Sequence, residues 1–476
     1  MHPNFFNGRS LGATLTVASL AFLFTGRAAV AGTQHPGAIR MNIAEASPDK
    51  SGVFTCETRF FDRSKNPRRG VACYAPDTIR KAYGLTPLIS GGNTGAGQTI
   101  VILDAFGSPT ALKDLKTFDR LFGIADPPSF KVVTMPGTPP FDFNNGNQLG
   151  WSDETSLDVQ WSHAMAPGAN IVLVQAASDS DDDLVAGLNF ALDNHLGNVV
   201  SMSFGESEFF LTDKAGQQTV AAWERAFKKA RHEHVTLFVS SGDQGSTNTA
   251  DGAGNVLPFQ NASYPASSPQ VTGVGGTNLQ FGKDGHADPA GSYLGETVWN
   301  DEAQGIQAAG GGGVSAIFKT PGFQEDLSDA VSESLHGHRG VPDVAYNAGV
   351  VGGVPVVIGT FAPPAQFVFV FGGTSAGAPQ WAGVIADVNQ LVGRPAGFIN
   401  NRLYKVGESG ALAGLFHDVT VGDNTYCGGT TPNGVPACIA GFAAAPGYDL
   451  VTGWGTPNFG TLGTVLSDPD NSEGND

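Results

Sequence analysis

Ser375 stands in Gly373-Thr374-Ser375-Ala376-Gly377-Ala378-Pro379, between a strand-like run (Phe367 to Phe371) and a helix-like one (Trp381 to Leu391). A serine at a glycine-flanked strand-to-helix turn has its hydroxyl held near a helix N-terminus, where backbone N–H groups favour developing negative charge. That suits a nucleophile, but plain connecting turns share the composition, so other residues must decide. Glu154 and Asp158 are four apart in a helix-like stretch, which puts them about 40° apart around the axis, one above the other. Like charges at this spacing are mildly destabilising. A solvated edge would tolerate them, yet Leu157, Val159 and Trp161 set apolar residues alongside. Two carboxyls sharing a proton would give them a use. Asp243, in Ser240-Ser241-Gly242-Asp243-Gln244-Gly245, follows an apolar strand and could be an ordinary turn residue.

The elements around these residues alternate. A helix at Pro76 to Tyr83 precedes a strand at Thr99 to Leu103 that ends at Asp104, and a helix at Leu112 to Phe122 follows. Next come a helix (Asp153 to Met165), a strand (Asn170 to Gln175), a helix (Asp183 to Asn194) and a strand (Asn198 to Ser203). A helix (Thr212 to His232) and a strand (Val235 to Ser240) continue the series. Such alternation predicts an α/β fold whose mainly parallel sheet is covered by helices on both faces. Working residues then gather at the carboxyl ends of strands, where Asp104, Ser203, Asp243 and Ser375 all lie. Residues 244–365, rich in Gly, Pro, Ser and Asn, read as loops and short strands.

Asp and Glu number 44 against 26 Lys and Arg, a net charge of −18. This excludes the basic face that nucleic-acid binding wants. Much of that charge is titrated away near pH ~4, so the balance fits an acidic medium as well as simple solubility. Arg9, the apolar run Leu11 to Thr25 and Ala29-Val30-Ala31 read as an export signal over 1–31. No run is long and apolar enough to span a membrane, so a secreted protein with no membrane role is expected. Residues 32–74 read as a short N-terminal extension, 75–466 as one large catalytic domain, and the acidic 467–476 as a disordered tail. Of the four cysteines, Cys56/Cys73 and Cys427/Cys438 are close in sequence, favouring local disulfides among three possible connectivities.

Taken together, Glu154-x-x-x-Asp158 with Gln160 and Ala166-Pro167-x-Ala169, Ser241-Gly242-Asp243-x-Gly245, and Gly373-Thr374-Ser375 with Pro379 resemble the sedolisin family, serine-carboxyl peptidases on a subtilisin-like fold. Tyr264-Pro265-Ala266-Ser267, Gly311-Gly312-Gly313-x-Ser315, Pro342-Asp343-Val344-Ala345 and Gly447-Tyr448-Asp449 extend the match, in order, over 74–465. The resemblance implies a monomer acting on protein or peptide substrates. Ser375 would attack the peptide carbonyl, Glu154 would take its proton, and Asp158 would hydrogen-bond to Glu154 and orient it. Protonated Asp243 would donate to the oxyanion, and Ser203, Phe204 and Gly205 would line the substrate strand. A carboxylate base and a carboxylic-acid donor work together only in acid.

The resemblance also implies one structural Ca²⁺, held by the side chains of Asp418 and Asp449 and the carbonyls of Val419, Ala445 and Gly447, a hard-oxygen set suited to that ion. Three features depart from the family. Only a short segment precedes the peptidase-like region, Phe204 stands where some members have Trp, and Asp104 stands where some have Glu. Two other readings compete. A histidine-dependent subtilisin-like protease would use Asp104 and His163, but His163 lies nine residues after Glu154, about 180° around the helix. An inactive secreted homologue would bind peptides without cutting them.

Overall fold

The computed structural model describes residues 39–42, 73–251, 254–283, 286–287, 291–409 and 412–466. The proposed export signal, Cys56 and the acidic tail lie outside them. In chain order the main elements are α1 (Pro76–Ala82), β1 (Thr99–Ala105), α2 (Ala111–Phe122), β2 (Phe130–Thr134), α3 (Gly146–Met165), β3 (Asn170–Ala176), α4 (Asp181–Asp193) and β4 (Val199–Met202). They continue with α5 (Lys214–His232), β5 (Thr236–Ser240), β6 (Thr272–Lys283), β7 (Val344–Asn347), β8 (Val354–Ala362), β9 (Ala365–Phe371) and α6 (Gly377–Val392).

The central sheet runs β6-β5-β4-β1-β3-β2, with β7 on the other edge of β6, and all these pairings are parallel. Strand periodicity explains why helices cover both faces. Ile100, Ile102, Ile171, Leu173, Val199 and Phe238 pack in one core with Leu157 and Trp161 of α3 and Trp381 and Ile385 of α6. The alternate residues, Val101, Leu103, Val172, Val174, Val200 and Val239, pack with Leu188 of α4 and Trp223 and Phe227 of α5. Burying each such side chain is worth about 1.5–3 kcal/mol, so a one-residue slip in any strand would turn apolar groups to the wrong side.

Three expectations change. Helix α3 begins at Gly146 rather than Asp153, because the Asn145 side chain accepts from the N–H groups of Asn147 and Gln148 and caps it earlier. The stretch 244–365 holds the long strands β6 and β8. Glycines hide β6 in the sequence, and packing demands them: a Cβ at Gly275 would meet Pro342 Cγ at 2.6 Å, and one at Gly276 would meet Trp299 at 2.8 Å. Finally, β9, the strand before Ser375, is not in the parallel sheet. It pairs antiparallel with β8, and Ile39–Asn42 lies antiparallel on its other edge. This hairpin is fastened to α3: Gln160 Nε2 donates to Val357 O (2.7 Å), Val357 N donates to Gln160 Oε1 (2.8 Å), and Trp161 Nε1 donates to Pro355 O (2.9 Å). The strand that ends before Ser375 is thus held by the helix carrying Glu154.

Candidate active site

Strands β1, β4 and β5 are neighbours, and their carboxyl ends bring Asp104, Ser203 and Asp243 to one edge. Helix α3 turns Glu154 and Asp158 toward the same edge. Asp104, Glu154 and Asp158 are all 0% exposed. Burial, then the charge of Asp104, pushes the carboxyls of Glu154 and Asp158 well above the ordinary range. Burial also lifts Asp104 to about 7, opposed by the Thr155 hydroxyl. Three carboxyls this close and this dry hold fewer negative charges than their number. The Ser375 hydroxyl favours the ionised form of Glu154, against burial and the neighbouring acids.

Ser203 Oγ lies 2.9 Å from Asp158 Oδ1 and 3.4 Å from the Ser375 carbonyl oxygen, so one hydroxyl bridges the helix and the serine turn. Asp158 therefore takes its hydrogen bond from Ser203, where the sequence pointed to Glu154. Ser375 itself is half-buried on a single turn, Thr374–Ala376, that leads into α6.

Asp243 reaches this turn from the other side. Its Oδ1 accepts from Thr374 N and Thr374 Oγ1, both at 2.9 Å, and Thr374 Oγ1 in turn accepts from Gly242 N at 3.0 Å. Gly373 has φ +114°, and a Cβ there would lie 2.9 Å from Asp243 Oδ2. Only glycine both adopts that backbone and leaves Oδ2 room. Burial raises the Asp243 carboxyl to about 6 against those two hydrogen bonds. A carboxylic acid that keeps its proton in mild acid can donate to a developing oxyanion.

The substrate-strand residues divide. Ser203 is buried and spends its hydroxyl on Asp158. The Phe204 ring faces the core, 6.1 Å from Trp151 and 6.0 Å from Trp223. Gly205 is half-exposed, so this segment would offer a ligand backbone rather than side chains. His163 lies on the far side of α3, fully buried, with Nε2 2.9 Å from Ala125 O and 3.3 Å from Asp119 Oδ1. It does not join Asp104. His417 stacks on Tyr293, ring centroids 3.9 Å apart. Sequence reasoning gave one partner no role and did not place another in the carboxyl cluster. Thr374 had its place beside Ser375 as a signal, and Asp104, noted at its strand end, is a full member of the carboxyl cluster.

Near the C-terminus, Asp418 Oδ2 accepts from Gly447 N (3.0 Å) and Asp449 Oδ2 from Ala445 N (2.9 Å), so both acids grip one turn. Among the described residues neither makes an ion pair with a cation, and Asp418 Oδ1 is buried without a hydrogen-bond partner. No group of three or more His, Cys, Asp or Glu side chains is placed to hold a metal among the described residues. Val419 lies beside Asp418 and is buried. Two acids on one turn with no cation and a spare buried oxygen fit a hard cation completed by carbonyls. Cys427 and Cys438 form a disulfide in the loop between the two acids. Cys73 is also disulfide-bonded.

Comparison with known proteins agrees with this geometry. The model of the subtilase family matches residues 144–398, more than half of the chain. Kumamolisin of Bacillus sp. (strain MN-32) is 34% identical over 388 residues, covering 81% of this chain and 62% of its own. Sedolisin of Pseudomonas sp. (strain 101) is 28% identical over 379 residues, covering 78% and 58%. Human tripeptidyl-peptidase 1 is 32% identical over 416 residues, covering 83% and 64%. The chain thus spans about three-fifths of the length of these relatives. Among solved structures, Pseudomonas sedolisin, a serine-carboxyl proteinase complexed with two molecules of pseudo-iodotyrostatin, superposes with a TM-score of 0.67 at 26% identity, covering 84% of this chain and 99% of that one. By sequence and by fold, the chain belongs to the subtilase family, in its sedolisin branch.

Proposed function

We propose that this chain is a serine-carboxyl endopeptidase active in acid on proteins and peptides. The observation that carries the reading is the gathering of acids on the Ser375 turn: Ser203 Oγ joins Asp158 to the Ser375 carbonyl, Asp243 accepts from Thr374 beside Ser375, and His163 lies on the far side of α3. Ser375 Oγ attacks the carbonyl carbon of the scissile bond while Glu154 accepts its proton. The carbonyl electron pair moves to oxygen, where the Asp243 proton on Oδ2 and the Ser375 N–H receive it. Collapse expels the amine, which takes the proton back from Glu154, and leaves an ester on Ser375. Water, deprotonated by Glu154, then repeats the cycle in reverse. Asp158 and Asp104 crowd charge near Glu154 and so make it a stronger base than an isolated carboxylate.

A Ca²⁺ ion held by Asp418, Asp449 and the carbonyls of Val419, Ala445 and Gly447 would fix the C-terminal turns and take no part in the chemistry. Residues 75–466 form the catalytic domain in this reading, which works outside the cell as a monomer. Among the described residues no helix is long and apolar enough to cross a membrane. The test is the rate on denatured haemoglobin from pH 2 to 9. A maximum in acid, with turnover reduced at least about 10³-fold in Glu154→Gln and Ser375→Ala but retained in His163→Ala, is expected. A maximum near pH ~8 that His163→Ala removes would refute it.

A further inference from the structure

Glu208 follows the segment Ser203–Gly205 along the chain and is 0% exposed. Among the described residues it makes no ion pair. A buried acid without a cation is costly unless hydrogen-bond donors converge on it. Two do so here: Ser315 Oγ donates to Oε1 and Ala316 N donates to Oε2, both at 2.6 Å. Neighbours fix the direction of the first bond. Ser315 Oγ already accepts from Ile317 N (3.1 Å) and Phe318 N (2.9 Å), so only its proton is left for Glu208.

The segment that supplies these donors also holds the turn of Asp243. Gly311 N donates to Gly242 O (2.7 Å), and Ser241 Oγ donates to Gly311 O (2.7 Å). A Cβ at Gly311 would lie 2.1 Å from Ser241 O, so the two backbones meet with no side chain between them. Residues 311–316 therefore grip the Asp243 turn at one end and Glu208 at the other. On its other side the chain leading to Glu208 is held by a short strand: Glu206–Ser207 pairs antiparallel with Ser263–Tyr264, and Glu208 N donates to Ala262 O (3.2 Å).

We infer that Glu208 is a positioning residue: its carboxyl ties Ser203–Gly205, through residues 311–316, to the Asp243 turn. The tie fixes the spacing between the strand on which a peptide would lie and the donor to its oxyanion. That a peptide lies there rests on the function proposed above; the tie itself does not. Such spacing matters only to a ligand that touches both sides. A peptide of about eight residues, ~27 Å when extended, does so. A short ester that fills only the place of the scissile bond meets the Asp243 turn without the strand. Glu208→Ala removes both contacts. Glu208→Gln keeps an oxygen for one donor and turns an NH₂ toward the other, while Ser315→Ala removes one contact and leaves Glu208 in place, so both are milder.

The test has two arms. In the first, amide hydrogen exchange is followed at pH 5 in Ser375→Ala, which cannot cut its own chain. Adding Glu208→Ala should speed exchange at least about tenfold in 203–208 and in 313–316, with 99–105 of β1 unchanged. Adding Ser315→Ala should act in the same direction by less, and both changes together should go no further than Glu208→Ala. Unchanged exchange in 203–208 overturns the tie; an equal rise in β1 shows that Glu208 merely supports the fold and overturns it too. In the second arm, kcat/KM is measured at pH 5 for an octapeptide and for a short ester. Glu208→Ala should lower it at least about tenfold for the peptide and no more than about threefold for the ester, with Glu208→Gln and Ser315→Ala between it and the wild type. If Glu208→Ala does not fold, the two milder variants carry the same comparison. Equal losses on both substrates, or no loss on the peptide, overturn the positioning role. A wild type with no turnover in acid on either substrate defeats the proposed function instead, and the exchange arm still decides the tie.

Discussion

Asp243→Asn separates the donor role of Asp243 from every other need for acid. In the wild type the carboxyl is raised from 3.8 to about 6 by burial. Above that value the protonated fraction falls about tenfold for each further pH step of one, so oxyanion donation should fall about 100-fold by pH 8. The substituted amide retains the local geometry. Its oxygen can still accept from Thr374 N and Thr374 Oγ1, both now at 2.9 Å from Oδ1. Its NH₂ then occupies the Oδ2 position beside Gly373 and donates without a titrating proton. At pH 5 the variant should lie within about tenfold of the wild type, and near pH 7–8 it should exceed it. Asp243→Ala, with no donor, should lose about 10²–10³ in kcat at every pH. The assay is release of acid-soluble peptides from denatured haemoglobin between pH 3 and 8.5. If Asp243→Asn declines above pH 6 with the midpoint and slope of the wild type, some other group sets that limb and the donor assignment is wrong.

Gly373→Ala should cost more than tenfold in kcat and about 1–3 kcal/mol of stability, since φ is +114° and the new methyl would sit 2.9 Å from Asp243 Oδ2; kinetics and a melt indistinguishable from wild type would contradict the close approach. Stability should fall as pH rises. The folded carboxyls of Asp243 and Asp104 are raised to about 6 and 7, so the folded state binds more protons than the unfolded one between pH ~4 and ~7. Their contribution is complete below pH ~4 and lost through that window, each group giving up about 1.4 kcal/mol for every tenfold by which folding tightens its hold on the proton. Melting of Ser375→Ala should therefore occur at lower temperature at pH 8 than at pH 4.5, and the opposite order would refute the burial argument. Adding a chelator at pH 5 should lower Tm in the wild type but not in Asp449→Asn; equal melting in all samples, with no calcium by elemental analysis, would remove the ion.

Much of this protein was legible in its residues because the signals are local. The continuous apolar runs at 99–105, 170–176 and 199–202, alternating with helix-like stretches, specify a covered parallel sheet whatever the long-range contacts. Turn chemistry marked Ser375 and Asp243, and four-residue spacing put Glu154 and Asp158 on one face. What spacing cannot convey is distance across the fold. That β9 leaves the parallel sheet is decided by the hydrogen bonds of Gln160 and Trp161 to β8. That Asp158 takes the Ser203 hydroxyl, that Phe204 turns into the core and that His163 meets Asp119 are likewise settled by neighbours far away along the chain. The strand β6 was hidden because its glycines look like a loop until Pro342 and Trp299 are seen pressing on them. Charge shows the same division. The sequence determined that the chain is acidic, a property of composition alone. Only the tertiary structure decided which carboxyls are dry and crowded, and desolvation with mutual repulsion, set by packing, is what moves their protons into the range where this site can work.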